Sequence, residues 1–117
     1  MLISKYDIVL ATLDPTQGSE QKGMRPCLVI QNNGANLYAN TTVVCPISSS
    51  IRRFPHTLIV SPDKTNGLKK ESRIDLLQIR TIDKSRIIKK LGKLEDRYKR
   101  ELRAKLIISF DINDILV

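Results

Sequence analysis

The chain has no tryptophan, one histidine, two cysteines and only 4% aromatic residues, and each scarcity removes a class of function. His56 is the only histidine, so a mechanism that needs a histidine pair is excluded. A Ser-His-Asp hydrolase would have to use that residue, yet no Gly-x-Ser-x-Gly elbow surrounds any serine. His56 is therefore read as a loop residue without a catalytic task. Cys27 and Cys45 each lie in an apolar run with no further Cys or His at ligand spacing, so no metal site is expected and both read as buried free thiols. Such thiols suit a reducing compartment. No Walker loop or Gly-x-Gly-x-x-Gly run is present, and no cofactor is expected. No apolar stretch reaches membrane-spanning length, and Met1–Tyr6 lacks a charged region followed by a long apolar segment, so a soluble, cytoplasmic protein without a membrane partner is expected.

What is present is length for one domain and an excess of positive charge. A chain of 117 residues supports one core, so residues 1–117 are expected to form one domain. Lys and Arg outnumber acids 20 to 12, a formal charge of +8, and eleven Lys/Arg against four acids fall between Arg80 and Lys105. That balance favours a polyanionic partner, nucleic acid first and an acidic protein segment next; the plainer alternative is a solvated, charge-rich face.

Asp7–Leu13 is short, rich in β-branched residues and closed by Asp14-Pro15, as a strand ending in a turn would be. Pro26–Gln31 is almost continuously apolar, the pattern of a strand covered on both faces. Asn32–Asn36 breaks the pattern. Thr41–Ile47 reads as a third strand, with Pro46 implying an edge, a bulge or the strand's end. Thr57–Val60 follows as a short strand, Thr65-Asn66-Gly67 as a turn, and Glu71–Ile79 as a half-buried strand. Thr81–Ser85 punctuates, and Ile87–Leu94 makes a last strand that its lysines mark as an edge. Leu94, Tyr98, Leu102 and Leu106 then recur at four-residue spacing along one face of a helix, with acids at its start and Arg100, Arg103 and Lys105 later, an order that suits the helix dipole. The apolar tail Phe110–Val117 is expected to dock on this body or on a second copy. Several short strands followed by one helix predict a mainly β fold, a small, strongly curved antiparallel sheet or barrel.

The loop Gly18–Pro26 carries a hydroxyl, a carboxylate, an amide, an ammonium and a guanidinium between two strands, more chemistry than a turn requires. Arg25 precedes a proline, which disfavours the α region and delivers the arginine extended into the next strand. Arginine, a carboxylate and hydroxyls are suited to managing charge on phosphate. In RNA the 2′-hydroxyl can attack the adjacent phosphorus, so the polymer supplies its own nucleophile. The protein then has to stabilise the phosphorane oxygens and assist two proton movements. Arginine's planar, permanently charged fork fits the first task. From the chemistry alone, Arg25 is either directed at phosphate or held in a structural ion pair with Glu20.

Asp14–Pro26 resembles the signature loop of the MazF/PemK toxin endoribonucleases, Pro46-Ile47-Ser48-Ser49 their second motif and Gln78–Asp83 their third, in the family's order and spacing. The resemblance covers nearly the whole chain. It implies an SH3-like (CcdB/PemK-like) antiparallel β-barrel with a C-terminal helix, a homodimer, a cognate antitoxin with an acidic tail, and metal-independent cleavage of single-stranded RNA to 2′,3′-cyclic phosphate and 5′-hydroxyl ends. Carried over by position, Arg25, Ser48 and Glu20 are the implied catalytic residues: Arg25 for the phosphorane, Ser48 as a hydroxyl where many members have threonine, and Glu20 to orient Arg25 or accept a proton. Ser19, Lys22, Ser49 and Gln78 are the implied RNA contacts.

This chain departs from the pattern at Leu77, where many relatives carry an acidic residue before the glutamine. The arginine and aspartate that some members use near that point correspond only to Arg73 and Asp75, shifted by two positions, so those roles are not transferred and the general base stays open. Two other readings stand beside the enzyme: a non-catalytic toxin of the same fold that binds a protein target such as gyrase, and a nucleic-acid-binding module that sequesters RNA or represses its own operon.

Overall fold

The β-branched run at Thr41–Ser48 forms the strand around which the sheet is assembled. The computed structural model describes residues 1–112. Its elements in chain order are β1 (Asp7–Thr12), β2 (Met24–Val29), α1 (Asn33–Tyr38), β3 (Thr41–Ser48), β4 (Thr57–Val60), β5 (Ser72–Asp75), β6 (Arg80–Asp83), β7 (Ile87–Lys93) and α2 (Asp96–Phe110). Short 3-10 turns at Leu76–Gln78 and Lys84–Arg86 flank β6. All pairings are antiparallel, in the order β4-β5-β3-β2-β1-β7 with β6 also on β3. The lysine-rich β7 is at an end of that order, the edge its charges predicted. Pro46 lies inside β3 opposite Cys27, immediately before the strand takes β5 as its partner at Ile47 and Ser48.

The expected barrel is present in open form, because β4 and β7 do not pair with each other. The β4–β5 loop spans the seam instead: the Lys93 N–H donates to the Thr65 carbonyl at 2.8 Å, and Gly67 and Gly92 let the two backbones meet. A Cβ on Gly67 would stand 2.1 Å from the Leu91 carbonyl oxygen, and one on Gly92 would stand 2.3 Å from that of Thr65. Asn66 holds the loop in shape. Fully buried, it accepts from the Asp63 and Leu68 N–H groups and donates to the Ser61 carbonyl and the Glu95 carboxylate.

The sheet is covered on both faces, which is why β2 reads as a continuous apolar run. Ile8, Leu28, Cys45, Ile74 and Leu76 pack on one side with Leu94, Tyr98, Leu102 and Leu106, so the four-residue stripe is core as expected. Val9, Ala11, Cys27, Val29, Val44 and Ile82 form a second cluster. Both cysteines are buried and unbridged. Burial pushes the Cys27 thiol up to about 12 and raises Cys45 also, so neither is a nucleophile near neutrality.

Four expectations are corrected. Asn32–Asn36 opens a helix: the Asn32 side chain accepts from the Ala35 N–H at 2.9 Å, and the Asn36 side chain is buried between Gln31 and Thr42. The strand predicted over Glu71–Ile79 ends at Asp75, whose carboxylate accepts from the Leu77 N–H and starts a 3-10 turn. Thr81–Asp83 belongs to strand β6, because Ile82 is buried beside β3. Helix α2 runs past Lys105 to Phe110, so its last turn holds no basic residue; Asp96 does occupy the first turn. Of the tail, residues 113–117 lie outside the described residues.

The seam sets a stability test. Gly92→Ala is expected to destabilise the fold by about 1–3 kcal/mol, since backbone must move to admit the methyl. Gly34→Ala in α1, where the nearest atom is a side-chain oxygen at 3.3 Å, is expected to change stability by less than about 1 kcal/mol. Urea midpoints check both, and equal midpoints for the two variants would sink the account of the seam. Alkylation by iodoacetamide at pH 8 is expected to spare both thiols in the folded protein and to label both on denaturation, read by mass spectrometry.

Candidate functional site

The loop between β1 and β2 is held by the rest of the molecule as well as by its own turns. Leu13 N–H donates to the Gly23 carbonyl and Gly23 N–H to the Asp14 carboxylate, so the two ends of the loop are clasped together. Gly18 and Gly23 take the positive φ angles of +56° and +80° that the return requires. Arg80 donates to the Leu13 carbonyl and Arg86 to those of Asp14 and Thr12. Gln78 grips the loop tip, accepting from the Gln21 N–H at 3.0 Å and donating to the Ser19 carbonyl at 3.4 Å.

Within this frame Arg25 lies half-buried at the start of β2, and its Nε donates to the Lys22 carbonyl at 2.7 Å. The anticipated pairing with Glu20 is not formed. The Glu20 carboxylate accepts instead from the Gln17 N–H, while the Glu20 N–H donates to the Gln17 carbonyl, and no ion pair joins Glu20 to Arg25 among the described residues. The β2–β3 ladder pairs Val29 with Val44, Leu28 with Cys45 and Cys27 with Pro46. The ladder ends there, and Arg25 and Ser48 each lie two residues beyond it on their strands. Ser48 is buried, and its Oγ accepts from the Ser50 N–H at 3.2 Å. On its other edge Ser48 pairs with Arg73, a buried guanidinium whose Nε has no hydrogen-bond partner among the described residues.

The candidate site residues other than Ser48, which lines neither, divide between two depressions. Lys22, Arg25 and Ser49 line a groove of about 630 Å³, whose apolar surface comes from Leu10, Met24, Pro26, Ile47, Leu68 and Leu91. Ser19, Glu20 and Gln78 line a smaller hollow of about 290 Å³ with Gln21, Leu77, Ile79 and Arg80. Leu77 presents an exposed apolar side chain there, where an acid was expected from the resemblance. Gln78 stands at the site, but its amide is engaged with loop backbone.

The groove holds three further cations that the sequence reading did not select: Lys69 and Lys70 from the β4–β5 loop and Lys89 from β7. The adjacency of Lys69 and Lys70 behind Gly67 was the only signal, and it placed them on a loop without saying which way the loop folds. Among the described residues no Asp or Glu lines the groove, so its lining carries charge of one sign. Among the described residues no group of three His, Cys, Asp or Glu side chains has the proximity needed to hold a metal ion. His56 stacks on Phe54 and lies 3.8 Å from Asp75, outside both depressions.

Comparison with known proteins gives a consistent family. Residues 4–110 match the family described as the PemK-like, MazF-like toxin of type II toxin-antitoxin systems. The chain is 38% identical over 115 residues to an endoribonuclease MazF of Staphylococcus saprophyticus subsp. saprophyticus, covering 97% of this chain and 96% of that protein. Its fold is similar to the crystal structure of MazF from Deinococcus radiodurans, with a TM-score of 0.79 at 23% identity over 95% of this chain and 98% of that one. A mycobacterial endoribonuclease in complex with its cognate antitoxin superimposes with a TM-score of 0.78 at 16% identity, over 93% and 95% of the two chains.

The grip of Gln78 on the loop gives a local test. Gln78→Ala is expected to speed hydrogen exchange at the Gln21 amide by about threefold to tenfold, the worth of one hydrogen bond, while β3 amides keep their protection. Unchanged exchange at Gln21 would refute the anchoring role.

Proposed function

This chain belongs to the PemK-like, MazF-like toxin family of type II toxin-antitoxin systems, and from that membership together with the site we propose that it is a toxin endoribonuclease that cleaves single-stranded RNA at short sequence motifs without a metal ion. The observation that carries the reading is the groove that holds Arg25 with Lys22 and Ser49, in which, among the described residues, every charged side chain is a cation.

In the proposed reaction the ribose 2′-oxygen attacks the adjacent phosphorus and gives up its proton. The P–O5′ bond breaks, and the departing 5′-oxygen takes up a proton. The products are a 2′,3′-cyclic phosphate and a 5′-hydroxyl, with no water consumed. Arg25, whose Nε is fixed by the Lys22 carbonyl, has its terminal nitrogens to offer to the phosphorane oxygens. Ser48 accepts from Ser50 and so has its hydroxyl proton available for the same oxygens. Glu20 acts through the loop: its carboxylate holds the turn from Gln17 that precedes Lys22 and Arg25. Lys22 and Ser49 contact the phosphate chain, and Ser19 and Gln78 set the face presented to a flanking nucleotide. The cognate antitoxin opposes this activity with an acidic segment, and the toxin works as a cytoplasmic homodimer.

Cleavage of a long, mixed-sequence RNA in excess chelator, with the new 5′ ends mapped, tests the reading. Discrete cuts bearing 5′-hydroxyls are expected. Arg25→Ala is expected to lower kcat by roughly 10²–10³-fold, the loss seen when one oxyanion donor is removed. Ser48→Ala is expected to cost roughly threefold to tenfold, and Ser48→Thr to retain activity. Intact RNA after exposure to folded wild type would end the enzyme reading and point to a protein target. The role of Glu20 separates by pH: Glu20→Gln, which keeps an acceptor for Gln17, is expected to retain the acidic limb of the kcat profile. Loss of that limb would make Glu20 the general base.

A further inference from the structure

Of the five cations that line the large groove, only Lys22 and Arg25 belong to the loop that carries the proposed chemistry. We propose that the other three, Lys69, Lys70 and Lys89, form a subsite for the RNA flanking the scissile linkage. In it they follow the phosphates while sugar and base lie on the apolar surface between them. The proposal rests on the ribonuclease reading above.

One rung of the sheet connects the chemistry to this subsite, since Leu10 pairs with Pro26 on one side and with Lys89 on the other. Pro26 follows Arg25 directly, so the path from the arginine to Lys89 crosses the sheet over Leu10. Lys69 and Lys70 come to the same groove from the opposite wall, behind Gly67, Leu68 and the buried Asn66 that fixes the loop. Three cations thus converge from two elements, β7 and the β4–β5 loop, that meet where the loop spans the open seam.

Their charges are uncompensated. None of the three takes part in an ion pair among the described residues, whereas neighbouring Lys90 pairs with Asp7 and Lys99 with Asp96. A face that is merely solvated intersperses acids among its bases; among the described residues this groove has no acid in its lining. Like charges gathered round an apolar floor suit a chain that alternates phosphates with flat, apolar-faced bases. The groove volume of about 630 Å³ lies within the range of small-molecule sites. An acidic peptide would meet the same charges, but the continuity with Arg25 favours the substrate.

The test uses an RNA oligonucleotide that contains the mapped cleavage motif and extends on both sides of it. Kinetics are followed across a salt series with wild type, the triple variant K69Q/K70Q/K89Q, the charge-keeping K69R/K70R/K89R, and Arg103→Gln on the exposed face of α2 as a charge control. The glutamine triple is expected to raise KM roughly tenfold or more at low salt, and to flatten log KM against log salt by about two, at about 0.7 for each lost phosphate contact. The change falls on KM rather than kcat, the arginine triple restores wild-type KM, and Arg103→Gln leaves the slope alone. Wild-type KM and slope in the glutamine triple, with the wild-type enzyme cleaving normally, would remove the subsite and leave the ribonuclease reading standing, whatever the variants did to an acidic peptide. A folded wild type that leaves every RNA intact would remove both.

Discussion

The contact on which the site depends is the approach of two backbones at Gly67 and Gly92. A sheet of this size curls until its ends face each other, and the ends then either pair or need a cover. Here the β4–β5 loop is the cover, and it lies close enough only because neither glycine has a side chain. Asn66 makes that loop a fixed body, using every polar atom of its side chain on neighbours within the seam. Buried amides satisfied in this way specify one geometry, whereas an apolar residue of the same size would leave two backbone N–H groups without partners. The large groove is what remains beside the seam, with Lys69 and Lys70 on one wall and β7 on the other.

The loop between β1 and β2 is built on a related logic, with side chains from β6 and the two 3-10 turns that flank it holding its backbone. Arg80, Arg86 and Gln78 all spend hydrogen bonds on carbonyls or N–H groups of residues 12–21. A guanidinium bound to carbonyl oxygens keeps its charge unneutralised, so these anchors add to the positive field as well as fixing the loop. That links the basic composition to position. From the basic last third of the chain, Arg80 and Arg86 shape the loop and Lys89 reaches the groove, while Lys90, Lys99 and Lys105 pair with acids.

How much of this was legible follows from what each residue needs to be recognised. The extended entry of Arg25 into β2 could be read because the stiffening effect of Pro26 is local. The stripe Leu94, Tyr98, Leu102 and Leu106 could be read because helical periodicity is carried within the element itself. The helix after Asn32 could not, since its stability comes from a cap and from Asn36 held by Gln31 and Thr42, a tertiary arrangement in a segment whose composition suggests a turn. Strand β6 was hidden for the same reason: the polar flanks of Ile82 look like punctuation until β3 lies beside them. Glu20 shows the limit at the site. Opposite charges five residues apart invite a pairing, and the nearer Gln17 N–H took the carboxylate.

That choice has a chemical consequence. A guanidinium paired to a carboxylate presents a phosphate with a nearly neutral unit, and the attacking RNA would have to compete with the resident anion. Arg25 is oriented by a neutral carbonyl, which fixes Nε without cancelling the charge. The same holds along the groove, where among the described residues no carboxylate lines the wall between Arg25 and Lys89. A site built this way binds anions strongly and without much discrimination, since the attraction is to charge rather than to base edges. On the proposed reading sequence preference comes from elsewhere in the surface, and we propose the smaller hollow bordered by Ser19, Gln78 and Leu77 for it. A field built from guanidinium and ammonium groups is not cancelled from within the groove, so an anion from outside has to cover it.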